Sequence, residues 1–368
     1  MPRIILDCFC NRRTIFDADL LPDKNIEIIP NSKRDPGPPG RKPDRRWVVY
    51  FLGPLIFLFL SYSIYRQVTR QPDWRGSLDQ LFKAITGPGQ WRLWVVLALM
   101  PVNWGIEARK WQLALRPVGG IAYRNAFRAV FTGTTLASFT PNRMGEYLGR
   151  ILYVEEGKRA SAISLTIICS MAQLLVTLAL GLAGTFYLRH HLSEGVTDRH
   201  ALEFWLNIFL FVVFLLLLSL TFIYFRLSWL IGILSRLRGI GKYLQYAKVL
   251  DHCDATVLLR ILSLSFCRYL VFVLQYTLVF PVFGVYLGLA QAGAGMSVVF
   301  LVMAVVPTFT FLTELGLRWG ASIQVLELFG AGAVGILASS LAIWLINLII
   351  PALIGSLLIL SIKLFRSK

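Results

Sequence analysis

The length of the uninterrupted apolar segments constrains this chain more than any other feature. Residues 160–188, 204–225, 269–313 and 328–362 contain no Asp, Glu, Lys or Arg. Each run equals or exceeds the ~20 residues that a helix needs to cross the hydrocarbon of a bilayer. With 56% hydrophobic and only 15% charged residues, the composition excludes an ordinary soluble domain. We therefore predict an all-α polytopic membrane protein.

Two shorter apolar segments add to the count of spans. Residues 47–65 lie between Arg46 and Arg66, residues 91–106 end before Glu107, and each segment approaches the length of one crossing. The 269–313 run is too long for a single crossing, and Pro281 and Gly284 mark a natural break within it. The sequence thus predicts about six full transmembrane helices.

The distribution of basic residues predicts the orientation. The formal net charge is +17, and Lys and Arg concentrate in residues 1–46, 109–128, 141–160 and 226–260, whereas residues 284–297 contain none. Basic loops stay on the cytoplasmic side, so both termini are expected in the cytoplasm. Nucleic acid is not an expected partner, because a basic binding face belongs on a soluble fold and none is evident.

Two short stretches place charges inside otherwise apolar sequence. Residues 140–150 read TPNRMGEYLGR, and residues 307–318 read PTFTFLTELGLR. In each stretch a proline is followed by a glutamate and, four residues later, by an arginine. A charge near the bilayer centre costs at least ~2.5–3.5 kcal/mol on insertion scales, so charges kept at that depth usually bind, carry or pair with something. The two stretches predict a polar site inside the membrane.

Both stretches are predicted to lie in re-entrant hairpins. The chain is basic on both sides of Thr140-Pro141, so a full crossing at 121–140 would reverse every later loop. A hairpin that enters from the cytoplasm and turns near Pro141 avoids this conflict. By the same logic, residues 298–329 would enter from the external side. Two opposed hairpins resemble the inverted repeats of transporters, in which broken helices meet at the midplane.

The first hairpin can be interpreted position by position. Thr140 suits an N-cap and Pro141 the first helical position, so a helix is predicted to start there and to attract an anion, with Arg143 one turn in. Gly145 allows another backbone or a lipid headgroup to approach closely. Glu146 is expected to pair with Arg150 on one helix face.

The second hairpin repeats this pattern. Glu314 and Arg318 have the same four-residue spacing, and Gly316 lies between them. Pro307 would mark the turn, and Thr313 could satisfy loosened backbone groups. A plainer alternative is that both charge pairs only fix how two elements dock.

Two further charged positions admit two interpretations each. Arg268 lies in an apolar span and either lines the same site or extends to the interface. Glu107 and Arg109 lie at the end of a span, where an interfacial ion pair is a better interpretation than a site.

The TPxRxGExxxR pattern at residues 140–150 resembles the lysylphosphatidylglycerol synthase/flippase transmembrane-domain family of flippase-like membrane proteins. The resemblance covers the chain from Trp47 onward, membrane domain only. Trp319 stands where many relatives have a glutamate. The matching positions are Pro141, Arg143, Gly145, Glu146 and Arg150 in the first stretch and, more loosely, Pro307, Gly316 and Arg318 in the second.

The resemblance implies a multi-pass protein of the cytoplasmic (inner) membrane of a prokaryote that moves a phospholipid or lipid-linked headgroup between leaflets. Bifunctional relatives append a soluble aminoacyl-transfer domain, and none follows the last span in this sequence, so we do not expect an enzyme. No GxxxxGK[ST] pattern for ATP binding occurs. An integral-membrane transferase and a scaffold for envelope-synthesis enzymes are the alternatives.

No cofactor and no metal site are expected. The five cysteines contain no CxxC pair, and Cys8 and Cys10 have no further ligand close in sequence. His190, His191 and His200 fall in one external loop and are better explained as interfacial residues.

Domain organisation and partners complete the expectations. Residues 1–46 are basic and rich in Pro and Gly, typical of a disordered cytoplasmic tail, and residues 47–368 form the flippase-like domain. The expected partners are membrane lipids with an anionic or zwitterionic headgroup. Envelope-synthesis enzymes and a second copy of the chain are the protein partners under consideration.

Overall fold

The computed structural model describes residues 86–87, 89–138, 140, 143–191, 199–226, 254–306 and 311–365. This part of the chain is helical and contains no strand, as predicted. The tail 1–46 and the predicted span 47–65 lie outside the described residues, as do Pro141 and Pro307.

The described residues form long apolar helices and several shorter ones. In chain order they are α1 (Gln90–Ala114), α2 (Tyr123–Ala137), α3 (Gly145–Ile151), α4 (Arg159–His191), α5 (Arg199–Phe225), α6 (Ala255–Val279), α7 (Leu289–Val305), α8 (Phe311–Leu326), α9 (Ala333–Trp344) and α10 (Ile350–Phe365). A π-helical segment, Leu345–Ile349, joins α9 to α10.

Four stretches of the described chain are long and apolar enough to cross a membrane: Glu156–His190, Leu206–Phe225, Ala255–Phe283 and Ala333–Ile359. Each overlaps one of the four charge-free apolar runs from which spans were predicted. Helix α1 is 25 residues long but does not join this group, since polar and charged side chains interrupt its apolar run. The predicted total of six full spans is therefore matched only in part.

The break predicted in the 269–313 run is confirmed. Helix α6 ends at Val279, a 3-10 turn covers Phe280–Phe283, and α7 begins at Leu289. Gly284 ends the turn with a φ of 75°, a conformation that favours glycine. The chain thus leaves one apolar helix and starts a second, shorter one.

Glycines allow α2 and α3 to pack backbone against backbone. A Cβ atom built on Gly149 would lie 2.5 Å from the Cα of Gly133. One built on Gly145 would overlap the backbone carbonyl of Leu136. Small residues at such crossings are typical of membrane helices, which associate through close packing. This contact fixes α3, and with it the side chains of Glu146 and Arg150, against the rest of the bundle.

Similar close contacts hold α7 and α8. A Cβ on Gly181 of α4 would lie 2.6 Å from Leu301 Cβ, and one on Gly184 would lie 2.7 Å from the Ala294 carbonyl oxygen. Between α7 and α8, Gly295 faces Leu326 in the same way. Helix α7 therefore packs on the long helix α4 through positions that only a small residue can occupy, and α8 packs on α7.

The α2/α3 contact leads to a prediction about two glycines. Replacing Gly149 with alanine should lower the free energy of unfolding by about 1–3 kcal/mol, because the added methyl group meets backbone atoms that cannot rotate away. Gly316→Ala is the matched control: nothing lies within 4 Å of its Cβ position, so helix propensity should leave stability unchanged or raise it by roughly 0.5–1 kcal/mol. Unfolding of the purified protein in mixed micelles measures both. Equal effects of the two substitutions would contradict the packing described here.

Candidate functional site

One buried carboxylate, Glu107 of α1, contacts cations from three helices. Its side chain receives Lys110 Nζ at 2.6 Å, Arg150 Nη2 at 2.8 Å and Arg268 Nη1 at 3.0 Å. Glu107 is only 3% exposed, and Lys110 and Arg150 are 1% exposed. Because each of these cations would be costly to bury alone, Glu107 is the group that allows α1, α3 and α6 to meet.

Glu146 extends this arrangement along α3. Arg150 forms ion pairs with both Glu146 and Glu107, so one guanidinium bridges two carboxylates. The same guanidinium lies over the ring of Trp111, with 5.9 Å from its Cζ to the ring centroid. The Arg150 Nε and Nη1 atoms are buried and have no hydrogen-bond acceptor in the described part of the chain. The cationic side chain is therefore held by charge and packing, and it retains unused donors.

The second charge pair lies on α8. Arg318 Nη2 is 3.1 Å from Glu314 Oε1, and Arg318 Nη1 donates a hydrogen bond to the Tyr276 hydroxyl at 3.1 Å. Arg143 connects the two pairs, with its Nε 3.8 Å from Glu146 Oε2 and its Nη1 4.0 Å from Glu314 Oε2. The acidic and basic residues of the two stretches thus come together in one place.

These residues surround a cavity of about 390 Å³. Its apolar side is formed by residues such as Leu174, Phe272 and Phe300. We name the charged residues at the cavity the charge cluster. Its members are the lining residues Glu107, Lys110, Arg143, Glu146, Arg268, Glu314 and Arg318, with Arg150 directly behind them.

Two lining residues indicate the depth of the cavity. Gln173 is the middle residue of the candidate span Glu156–His190, and Tyr269 is the middle residue of Ala255–Phe283. Two separate helices therefore present the centre of their apolar length to the cavity. This is the depth at which an uncompensated charge is most costly.

Arg268 belongs to the charge cluster and lines the cavity. Its Nε donates to Asn103 Oδ1 at 3.0 Å, and its Cζ lies 5.1 Å from the ring centroid of Trp104 and 5.5 Å from that of Phe272. Of the two interpretations open at the sequence level, the structure favours the one in which Arg268 lines the cavity.

A chain of buried amides extends from Arg268 into the bundle. Asn103 approaches Asn347 at 3.5 Å, Asn347 donates to Gln275 Oε1 at 2.9 Å, and Gln275 donates to the Val96 carbonyl oxygen at 3.0 Å. Asn347 lies in the π-helical segment Leu345–Ile349, a type of irregularity that is frequent at functional sites. The network fixes the face of α1 that carries Asn103 and Glu107.

The start of the first short helix differs from the prediction. Helix α3 begins at Gly145 rather than at Pro141 and has seven residues. The Thr140 hydroxyl donates a hydrogen bond to the Leu136 carbonyl oxygen in the last turn of α2. It also accepts a hydrogen bond from the backbone N–H of Gly145, the first residue of α3, at 2.6 Å. So short a helix, with this amide already satisfied, does not support the predicted anion site at its first turn.

The remaining predicted positions divide into three groups. Arg143, Glu146, Arg150, Glu314 and Arg318 meet at the cavity. Gly145 packs against the backbone of α2, which leaves no space there for a ligand, whereas nothing lies within 4 Å of the Cβ position of Gly316. Pro141, Pro307 and the side chain of Thr313 lie outside the described residues.

Sequence reasoning did not assign Glu107 and Lys110 to the site. The expected interfacial pairing of Glu107 with Arg109 is wrong, because Arg109 donates to Gln112 while Glu107 points inward. The spacing of Asn103, Glu107 and Lys110 at i, i+4 and i+7 places them on one helix face. That polar stripe was the signal that could have identified them.

Potential metal ligands are not grouped in the described part of the chain, where no three His, Cys, Asp or Glu residues could jointly hold an ion. Cys8 and Cys10 lie outside it, as does the side chain of His200.

Fold and site together define a multi-pass membrane protein with a charged internal cavity. The sequence matches the family described as lysylphosphatidylglycerol synthase TM region over residues 50–355. The match covers most of the chain, which therefore belongs to this family and is a lipid-related integral membrane protein. A comparison with curated proteins gives no match.

The role assigned to Glu107 is testable by neutralising it. Glu107→Gln removes the carboxylate that three buried cations share, and should cost about 3–5 kcal/mol of folding free energy. The control is Glu155→Gln, whose exposed side chain pairs with Lys158 at the surface and should affect stability far less, because solvent screens an exposed ion pair. Thermal unfolding in detergent compares them. A Glu107→Gln variant as stable as the control would show that the cluster does not depend on this carboxylate.

Proposed function

We propose that this protein moves a phospholipid or lipid-linked headgroup across the cytoplasmic membrane through the charge-lined cavity. The observation that carries the proposal is the position of the charge cluster, beside the midpoints of two apolar helices. A polar cavity at this depth provides charged partners for a headgroup and so lowers the cost of moving it through the hydrocarbon, while the acyl chains remain in lipid.

The proposed path lies between two re-entrant hairpins, α2/α3 from the cytoplasmic side and α7/α8 from the external side. Four candidate spans, together with α1 and residues 47–65, would form the surrounding six crossings, with both termini in the cytoplasm. Irregular backbone at membrane depth is tolerated when it is buried in protein or lines a wet cavity. The close glycine contacts of α2 with α3 and of α7 with α4 support this arrangement.

The balance of charge favours a binding role over simple docking. Two elements that only dock need matched pairs with no space between them. Here four cations and three carboxylates line an open volume of about 390 Å³, and a fifth cation, Arg150, lies directly behind them. Arg318, which lines the cavity, has a buried Nε atom that finds no acceptor among the described residues. An unused donor on a lining residue is what a headgroup with acceptor oxygens would require.

Transport is tested in liposomes that contain the purified protein and fluorescent phospholipids. Glu146→Gln and Arg150→Ala should slow lipid transfer at least about tenfold, equivalent to ~1.4 kcal/mol of barrier. Glu155→Gln and Arg159→Ala remove the same charge types from ion pairs outside the cavity and should transfer lipid at the unaltered rate. Each variant is first checked for a folded state by its thermal unfolding transition.

Other results would point to other functions. Conversion of the lipid into a new product would identify a membrane transferase. If the unaltered protein neither transfers nor converts the lipid, the transport proposal is rejected and a scaffold function remains.

A further inference from the structure

We infer that the headgroup accepted by the cavity is a phosphomonoester, a terminal phosphate that carries close to two negative charges. The inference rests on the proposed function and goes further by naming the charge of the substrate. Its basis is the charge cluster, in which the cations outnumber the carboxylates by two among the described residues. An occupant with two negative charges would bring the filled cavity to neutrality.

The least committed cation is Arg143. Its side chain is 40% exposed, and its nitrogens approach Glu146 and Glu314 only to 3.8 and 4.0 Å. The three cations on Glu107 lie at 2.6 to 3.0 Å by contrast. Arg143 also adopts a left-handed φ of 57°, which non-glycine residues rarely adopt and which occurs at functional sites.

Arg143 can therefore turn toward a ligand at little cost. Glu146 keeps Arg150 as its partner, and Glu314 keeps Arg318. The Arg318 Nε atom lacks an acceptor and supplies a second donor near the same cavity. Two guanidinium groups, one from each predicted hairpin, are suited to the oxygens of a phosphate.

Headgroups of other charge fit less well. A cationic headgroup would meet five cations, and every carboxylate of the cluster is already paired. A zwitterionic headgroup would leave the excess unchanged. A phosphodiester with one negative charge would leave one positive charge uncompensated beside apolar residues such as Phe272 and Phe300. A volume of about 390 Å³, near the lower end for ligand pockets, also favours a compact headgroup.

Binding of three probes to the full-length protein in detergent tests the inference through quenching of tryptophan fluorescence. The probes are phosphatidic acid, a lipid phosphomonoester; phosphatidylglycerol, a lipid phosphodiester; and glycerol 3-phosphate, which has no acyl chains. At about pH 8 phosphatidic acid should bind at least about tenfold more tightly than phosphatidylglycerol. At about pH 5, where a phosphomonoester has lost its second charge, the two lipids should bind within about threefold of each other.

Variants then locate the effect. Arg143→Gln should remove about tenfold of the affinity for phosphatidic acid at the higher pH and abolish most of the preference over phosphatidylglycerol. The matched control is Arg159→Gln, an arginine of similar exposure that pairs with a glutamate three residues away, outside the cavity. It should leave both affinities unchanged.

The outcomes separate this inference from the proposed function. Equal affinity for the two lipids at about pH 8, or a preference that does not change with pH, would overturn the inference even if lipid transfer occurs. A pH-dependent preference without lipid transfer would support the inference and reject transport. If glycerol 3-phosphate binds as tightly as phosphatidic acid, the dianion is supported and its source is a soluble phosphate rather than a lipid.

Discussion

The ion pairs of Glu107 are the interaction on which the rest of this structure depends. A single carboxylate, buried within an apolar bundle, contacts three cations that belong to α1, α3 and α6. Each of these cations is costly to bury without a counter-charge, and Glu107 supplies one to all three, with Glu146 as the second partner of Arg150. The amide chain through Asn103 and Asn347 extends the same restraint to the π-helical segment near the end of the fold.

Packing and electrostatics act together in this arrangement. Glycines 133 and 149 bring α2 and α3 to backbone contact, and this determines where Arg150 can reach. Arg150 then bridges Glu146 to Glu107, and Arg143 reaches across to Glu314 on α8. A short helix that would be marginal by itself is positioned by a dry contact on one face and by ion pairs on the other.

The sequence was informative where the controlling interactions are local. Apolar runs located the candidate spans, Pro281 and Gly284 located a break, and four-residue spacing paired Glu146 with Arg150 and Glu314 with Arg318. It was uninformative where they are distant. Glu107 meets partners 43 and 161 residues away, so its surroundings depend on the tertiary fold. The misplaced start of α3 has a local cause: the Thr140 hydroxyl bonds to the preceding turn as well as to Gly145.

A double-mutant cycle on Glu107→Gln and Arg268→Gln tests the central claim most directly. The free energy of unfolding is measured for the unaltered protein, both single variants and the double variant. If one carboxylate compensates the buried cations, removing Arg268 in the absence of Glu107 should recover part of the lost stability, with a coupling energy above about 1 kcal/mol. Losses that simply add, within about 0.5 kcal/mol, would mean that the two groups are independent and would contradict this account.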